Sequence, residues 1–211
     1  MTQTRYHGLD GLREEFKKKK GAIRERLDAF RRIPPDEHFF ELAYCILTPQ
    51  SSALHAGAAL EALREARCFD RPAQCAEILR RKAHYIRFHN TKAARLADAW
   101  ERFPEVAARL ATASPGHDHR IWLVRNVKGL GWKEASHFLR NIGYGELAIL
   151  DRHILRNLKH HGVLAAIPQH LTPWRYRSIE NRFRRFAAEV GITMDELDLL
   201  FWSRETGQIL K

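Results

Sequence analysis

The segment Val127-Lys128-Gly129-Leu130-Gly131-Trp132-Lys133-Glu134-Ala135-Ser136 sets two glycines around one apolar residue, between two helical patterns, and Ala148-Ile149-Leu150-Asp151-Arg152-His153-Ile154 follows it. Glycine reaches positive φ without a Cβ penalty, so Gly129 and Gly131 permit a tight hairpin with Leu130 packed at its tip between the helices. The helix that opens at Trp132 then starts with N–H groups aimed at the turn. A helix start of this kind takes a phosphate oxygen, which makes Lys128, Gly129, Leu130 and Gly131 candidate contacts to a nucleic-acid backbone that read no bases. Taken alone, the glycines also fit an ordinary connection between two structural helices.

Outward from the hairpin, apolar residues recur at helical spacing and no long run of strict alternation argues for a sheet, so the chain reads as all-α. A first helix is predicted from Leu12 to Phe30, stopped by Pro34-Pro35. Others follow over Glu37 to Leu47, Ser51 to Glu65, Pro72 to Arg80, Asn90 to Phe103, Glu105 to Ala111 and His117 to Val127. Beyond the hairpin come Leu150 to His160, Pro173 to Val190 and Thr193 to Glu205. Thr172 before Pro173 is a cap followed by a first-turn proline, and Thr193 with Glu196 has capping-box spacing.

With 36 Lys+Arg against 25 Asp+Glu in 211 residues the formal charge is +11, so the surface field favours polyanions, nucleic acid first among them. A composition 45% hydrophobic and 29% charged supports a folded core and excludes a disordered chain. The run Lys17 to Lys20 reads as a solvated helix face, and Arg175, Arg177, Arg182, Arg184 and Arg185 as a similar face with a better claim on nucleic acid. No apolar stretch is long enough for a membrane span and the first residues lack the apolar core of a signal peptide, which points to a soluble, cytoplasmic protein. Cys45, Cys68 and Cys75 have no CxxC spacing, and nothing after Cys75 completes a zinc or four-thiolate iron–sulfur site, so buried or free thiols and no metal are expected.

Lys133 stands two residues past Gly131, and Asp151 follows eighteen residues further on. Each has a plainer reading alone, Lys133 as a solvated first-turn lysine and Asp151 as the cap before Arg152-His153-Ile154. In this order behind this hairpin, the segment resembles the helix-hairpin-helix DNA glycosylases. The wording KGLGWKEASHFLRNIGY, then LAILDRHI and the ending ELDLLFWSRETGQILK, is more specifically similar to the second class of 8-oxoguanine DNA glycosylase/lyase, found in archaea and some bacteria. The resemblance runs from about Pro35 to the last residue, and the first thirty or so residues match poorly.

The resemblance implies two helical subdomains with the active cleft between them. One spans 35–145 and contains the hairpin at about 118–142; the other is discontinuous, 1–34 with 146–211. It implies that Lys133 is the nucleophile and Asp151 its partner. Phe88 and Trp202 would sandwich the extruded base, and Lys211 would help recognise it. Trp202 reads first as part of a core stripe with Leu197, Leu199, Leu200 and Phe201. Gln50, in Thr48-Pro49-Gln50-Ser51-Ser52, corresponds to a loop that probes the vacated stack; a polar loop residue capping the next helix is the equal alternative. His153 is expected to be structural.

The chemistry expected is extrusion of the lesion nucleotide, attack of a neutral Lys133 amine at C1′, a Schiff base and β-elimination, with no cofactor required. Burial in a cleft and neighbouring positive charge are the means by which a lysine amine is made available at neutral pH. The partner implied is double-stranded DNA containing 8-oxoguanine, bound by a monomer. A glycosylase for another lesion and a non-catalytic DNA-binding hairpin module stay open at this point.

Overall fold

The computed structural model describes residues 6–209, and no strand occurs among them. Contacts gather the chain into two compact units, residues 33–138 and residues 1–32 with 139–211.

In the unit of residues 33–138, α2 (His38–Leu47), α3 (Ala53–Ala66), α4 (Pro72–Leu79), α5 (His89–Leu110) and α6 (Gly116–Asn126) pack around an aromatic cluster. Phe39 meets Phe69, Trp100 and Phe103 edge-on with centroids 4.9, 4.7 and 5.5 Å away, and Phe69 stacks on Trp100. Edge-on and offset pairs suit the ring quadrupole better than face-to-face contact. Cys45, Cys68 and Cys75 are buried thiols of this unit.

The break predicted at Pro104 does not occur, and α5 runs unbroken from His89 to Leu110 with Pro104 inside it. Pro104 removes one backbone donor, yet Ala93, Leu96, Ala99 and Val106 keep one buried face across it. Arg102 bridges the step, donating to Glu105 at 2.7 Å and to the Asn126 carbonyl at 2.6 Å.

In the other unit, α1 (Leu9–Arg31) buries Leu12, Phe16, Ile23, Leu27 and Phe30 along one stripe. It packs on α10 (Met194–Thr206), which in turn packs on α8 (Arg152–His160) and α9 (Pro173–Val190). Arg24 reaches Glu196 at 2.8 Å, and Arg204 joins Glu15 at 2.7 Å to Asn157 at 2.6 Å. The caps form as the sequence predicts: Thr172 accepts from the Arg175 N–H, and Thr193 and Glu196 make both bonds of a capping box. The predicted start of α8 at Leu150 moves to Arg152, because residues 147–150 form a buried strap rather than a helical turn. The last helix of the motif, α7 (Trp132–Asn141), starts in one unit and ends in the other.

The charged faces are as read. Lys17, Lys18 and Lys20 are exposed on α1, and Arg175, Arg177, Arg182 and Arg185 are exposed on α9. No described helix is long and apolar enough to cross a membrane.

Candidate active site

The hairpin forms between α6 and α7 with Gly129 at φ +93°, a conformation that L side chains rarely adopt. A Cβ there would also come within 2.6 Å of the Arg95 side chain. Leu130 is buried as the tip residue, and Lys128 is exposed with its ammonium 2.5 Å from Asp98. Lys133 stands on the first turn of α7, about a quarter exposed, with its ammonium 3.2 Å from Glu134. The other Glu134 oxygen accepts the Gly131 N–H at 3.1 Å, so one carboxylate ties the amine to the hairpin backbone. Glu134 has no part in the sequence reading; its spacing three residues after Gly131, the acceptor position of a helix's first turn, is the signal that could have found it.

Two exposed turns of the same unit carry Gln50 and Phe88, at φ 56° and 59°, each costing on the order of 1 kcal/mol for a residue with a Cβ. Gln50 does not cap α3, whose N-cap is Ser52. Phe88 is the N-cap residue of α5, half exposed, with the Arg87 guanidinium 4.9 Å from its ring centre. Ser51 joins the two turns by accepting the Arg87 N–H at 3.1 Å. Beneath them lies Lys92, 2% exposed, which donates to the Leu47 carbonyl at 2.6 Å, the Pro49 carbonyl at 2.7 Å and the Ser51 hydroxyl at 3.2 Å. Burial, then the charges of Arg95 and Lys133, lower its pKa to about 8. The sequence signal for Lys92 was a cation on the buried stripe of a helix's first turn, where the helix dipole opposes it.

Asp151 is the N-cap of α8, accepting the His153 and Ile154 N–H groups at 2.8 Å, both on Oδ1. The plain reading of this residue therefore holds, and it leaves Oδ2 outside the cap. What fixes Asp151 in place is the strap before it. The Tyr176 hydroxyl donates to the Ala148 carbonyl at 2.6 Å and accepts the Leu150 N–H at 3.2 Å, while Glu180 accepts the Ala148 N–H at 2.8 Å. An open cavity of about 680 Å³ lies beside Asp151, lined among others by Arg152, Arg156, Gln169 and His170.

Trp202, on α10, is half-buried beside the fully buried Leu197, Leu199, Leu200 and Phe201, so it does not belong to the sealed core. The His153 ring lies 5.2 Å from it, and His153 is itself held by Arg152 at 3.0 Å and Glu205 at 3.1 Å, which fits a structural histidine. Four residues before Trp202, buried Asp198 pairs with Arg140 at 3.4 Å. Burial pushes the Asp198 carboxyl up to about 7, with Asp151 and Asp195 acting in the same sense and Arg140 against it. Lys211 lies outside the described residues. Gln50, Phe88, the hairpin and Lys133 thus fall in one unit, and Asp151 and Trp202 in the other.

Residues 23–192 match the family model described as 8-oxoguanine DNA glycosylase. The 8-oxoguanine DNA glycosylase/AP lyase of Fusobacterium nucleatum is 40% identical, covering 93% of this chain and 94% of its own. That of Korarchaeum cryptofilum is 36% identical over 97% of this chain and all of its own, so the likeness extends well before Pro35. Among solved structures, the 8-oxoguanine DNA glycosylase of Thermotoga maritima superposes with a TM-score of 0.85 at 31% identity, covering 97% of this chain and all of that one. The Methanocaldococcus jannaschii 8-oxoguanine glycosylase/lyase, in complex with a 15mer DNA containing 8-oxoguanine, gives 0.84 at 33% identity over 95% of this chain and 99% of that one. With a family match across most of its length, the chain is a member of the 8-oxoguanine DNA glycosylase family.

Proposed function

We infer that this protein excises 8-oxoguanine from duplex DNA and then cleaves the strand, acting as a monomeric glycosylase/AP lyase wherever the cell keeps its genomic DNA. The observation that carries this reading is a lysine on the first turn of a helix-hairpin-helix, followed by a capping aspartate, in a chain alignable over nearly its whole length with glycosylase/lyases.

The reading assigns each residue a step. The hairpin at Lys128 to Gly131 and the N-terminus of α7 behind it hold a phosphate without reading bases. Gln50 enters the gap left by the extruded nucleotide, at a cost of about a few kcal/mol for unstacking. The base stacks between Phe88 and Trp202, each aromatic face contributing about 1–3 kcal/mol, and Lys211 contributes to its recognition. Lys133, as the neutral amine, attacks C1′; the glycosidic bond breaks and the base leaves with the bonding pair, taking up a proton. Asp151 Oδ2 faces the positive charge that develops on the sugar. The amine then gives up one proton and the C1′–O4′ bond breaks with O4′ taking up a proton, which leaves a protonated Schiff base. Loss of a C2′ proton then expels the 3′ phosphate and breaks the strand. No step calls on a metal or redox cofactor.

Borohydride trapping on a duplex with one 8-oxoguanine opposite cytosine tests this directly. The wild type should give a covalent protein–DNA adduct and Lys133→Gln none. Base release without an adduct would sink the lyase half of the reading. Neither product would return the chain to a different lesion or to a binding module.

A further inference from the structure

We propose that Lys92 is a positioning residue that locks the Gln50 turn to the Phe88 turn, so that the residue entering the DNA stack and the residue receiving the base are set as one piece. The proposal rests on the function inferred above.

The geometry is that of a keystone. The Lys92 ammonium has three N–H groups, and its three acceptors are the Leu47 and Pro49 carbonyls and the Ser51 hydroxyl. Leu47 ends α2, so the ammonium caps that helix where its dipole favours a cation. Pro49 and Ser51 flank Gln50, so fixing them fixes the turn from both sides. The Ser51 hydroxyl is shared, taking one hydrogen bond from Lys92 and another from the Arg87 N–H next to Phe88. His55 adds a second tie between the segments, its ring nitrogen lying 3.3 Å from the Tyr85 carbonyl.

Gln50 and Phe88 are both exposed and both left-handed, without being glycine. Such backbone persists only where the surroundings over-determine it. Neither side chain is buried enough to supply that constraint, and the bonds through Lys92 and Ser51 do. A buried cation at the start of α5 works against the dipole of its own helix, and burial lowers its proton affinity. A side chain placed at that cost, with every donor engaged by the end of α2 and the Gln50 turn and its Ser51 acceptor shared with the Arg87 N–H, is placed for that junction.

Lys92 also lies within electrostatic reach of Lys133, and its charge could instead act on the nucleophile. The two roles part on the choice of DNA. Excision of 8-oxoguanine needs a base received at Phe88 and a gap filled at Gln50, whereas cleavage at a preformed abasic site has no base to receive. Single-turnover rates on both duplexes should be measured for the wild type, Lys92→Met and Ser51→Ala, with hydrogen exchange over residues 47–52 and 85–89. Misplacement of reacting groups by about 1 Å costs on the order of a hundredfold, so Lys92→Met should lose at least about tenfold in excision and less than about threefold in abasic-site cleavage. Ser51→Ala should lose excision in the same sense, by less. Exchange should rise in both turns together in either variant.

Equal losses on both duplexes would assign Lys92 to the chemistry of Lys133 and overturn the proposal. Unchanged excision, or exchange that rises in one turn alone, would overturn it as well. Should Lys92→Met fail to fold, Ser51→Ala and the exchange data decide. A wild type inactive on both duplexes would count against the proposed function, while the exchange data would still test the coupling of the turns.

Discussion

Arg140 and Asp198 face each other at 3.4 Å with side chains only 3% and 5% exposed, joining the end of α7 to the helix that carries Trp202. Removing one member of a buried pair strands the other, so Asp198→Ala should cost about 3–5 kcal/mol in denaturant unfolding. The pair also has a pH signature. Burial raises the folded-state pKa of Asp198 to about 7, above that of an unfolded aspartate. Between those values the folded state binds more protons than the unfolded one, so the stability contributed by this group falls as pH rises from about 4 to about 7 and is level above that. The wild type minus Asp198→Asn difference in unfolding free energy should show that slope; a difference flat across the window would refute it.

Asp151 caps α8 and, in the proposed function, also faces the reacting sugar, and substitution can separate the two. Asn accepts the same N-cap bonds without the charge, so Asp151→Asn should keep the melting temperature nearly unchanged while excision falls by at least about a hundredfold. Asp151→Ala loses the cap as well and should destabilise by about 0.5–2 kcal/mol. Comparable activity in the wild type and Asp151→Asn would show that the carboxylate serves the fold alone.

The strap ahead of Asp151 gives a third expectation. Tyr176 is 1% exposed, and its hydroxyl bonds both Ala148 and Leu150. Tyr176→Phe leaves a buried N–H and a buried carbonyl without that partner, at a cost of about 1–3 kcal/mol each. Thermal unfolding should report the loss. Excision should fall beyond what the unfolded fraction explains, because the strap sets where the α8 cap stands.

What could be read in the sequence was local. The hairpin, the Thr172 cap and the Thr193–Glu196 box are each written within a few residues, and all form where expected. The continuity of α5 through Pro104 was hidden because its compensation comes from elsewhere, a buried face and an Arg102 bond to Asn126. The same holds for the supports of the site. Lys92 finds its acceptors more than forty residues back, and Tyr176 and Glu180 find theirs about thirty residues back; no periodicity encodes such pairings. Asp151 illustrates the remaining difficulty, since cap and reactive carboxylate have the same local spelling.

Gly129 offers the sharpest test of the hairpin. Its φ of +93° and the 2.6 Å approach of Arg95 to a hypothetical Cβ give alanine both a strained backbone and a displaced neighbour. Backbone held in such a region costs about 1–3 kcal/mol, and the turn can escape that cost only by opening. An opened turn misaims the N–H groups at the start of α7. On the proposed reading those groups hold phosphate and read no base, so Gly129→Ala should weaken binding to undamaged and 8-oxoguanine duplexes by the same factor, about tenfold, with the ratio between them unchanged. Fluorescence anisotropy at fixed salt on matched duplexes measures both. A loss confined to the lesion duplex would place the hairpin in base recognition instead.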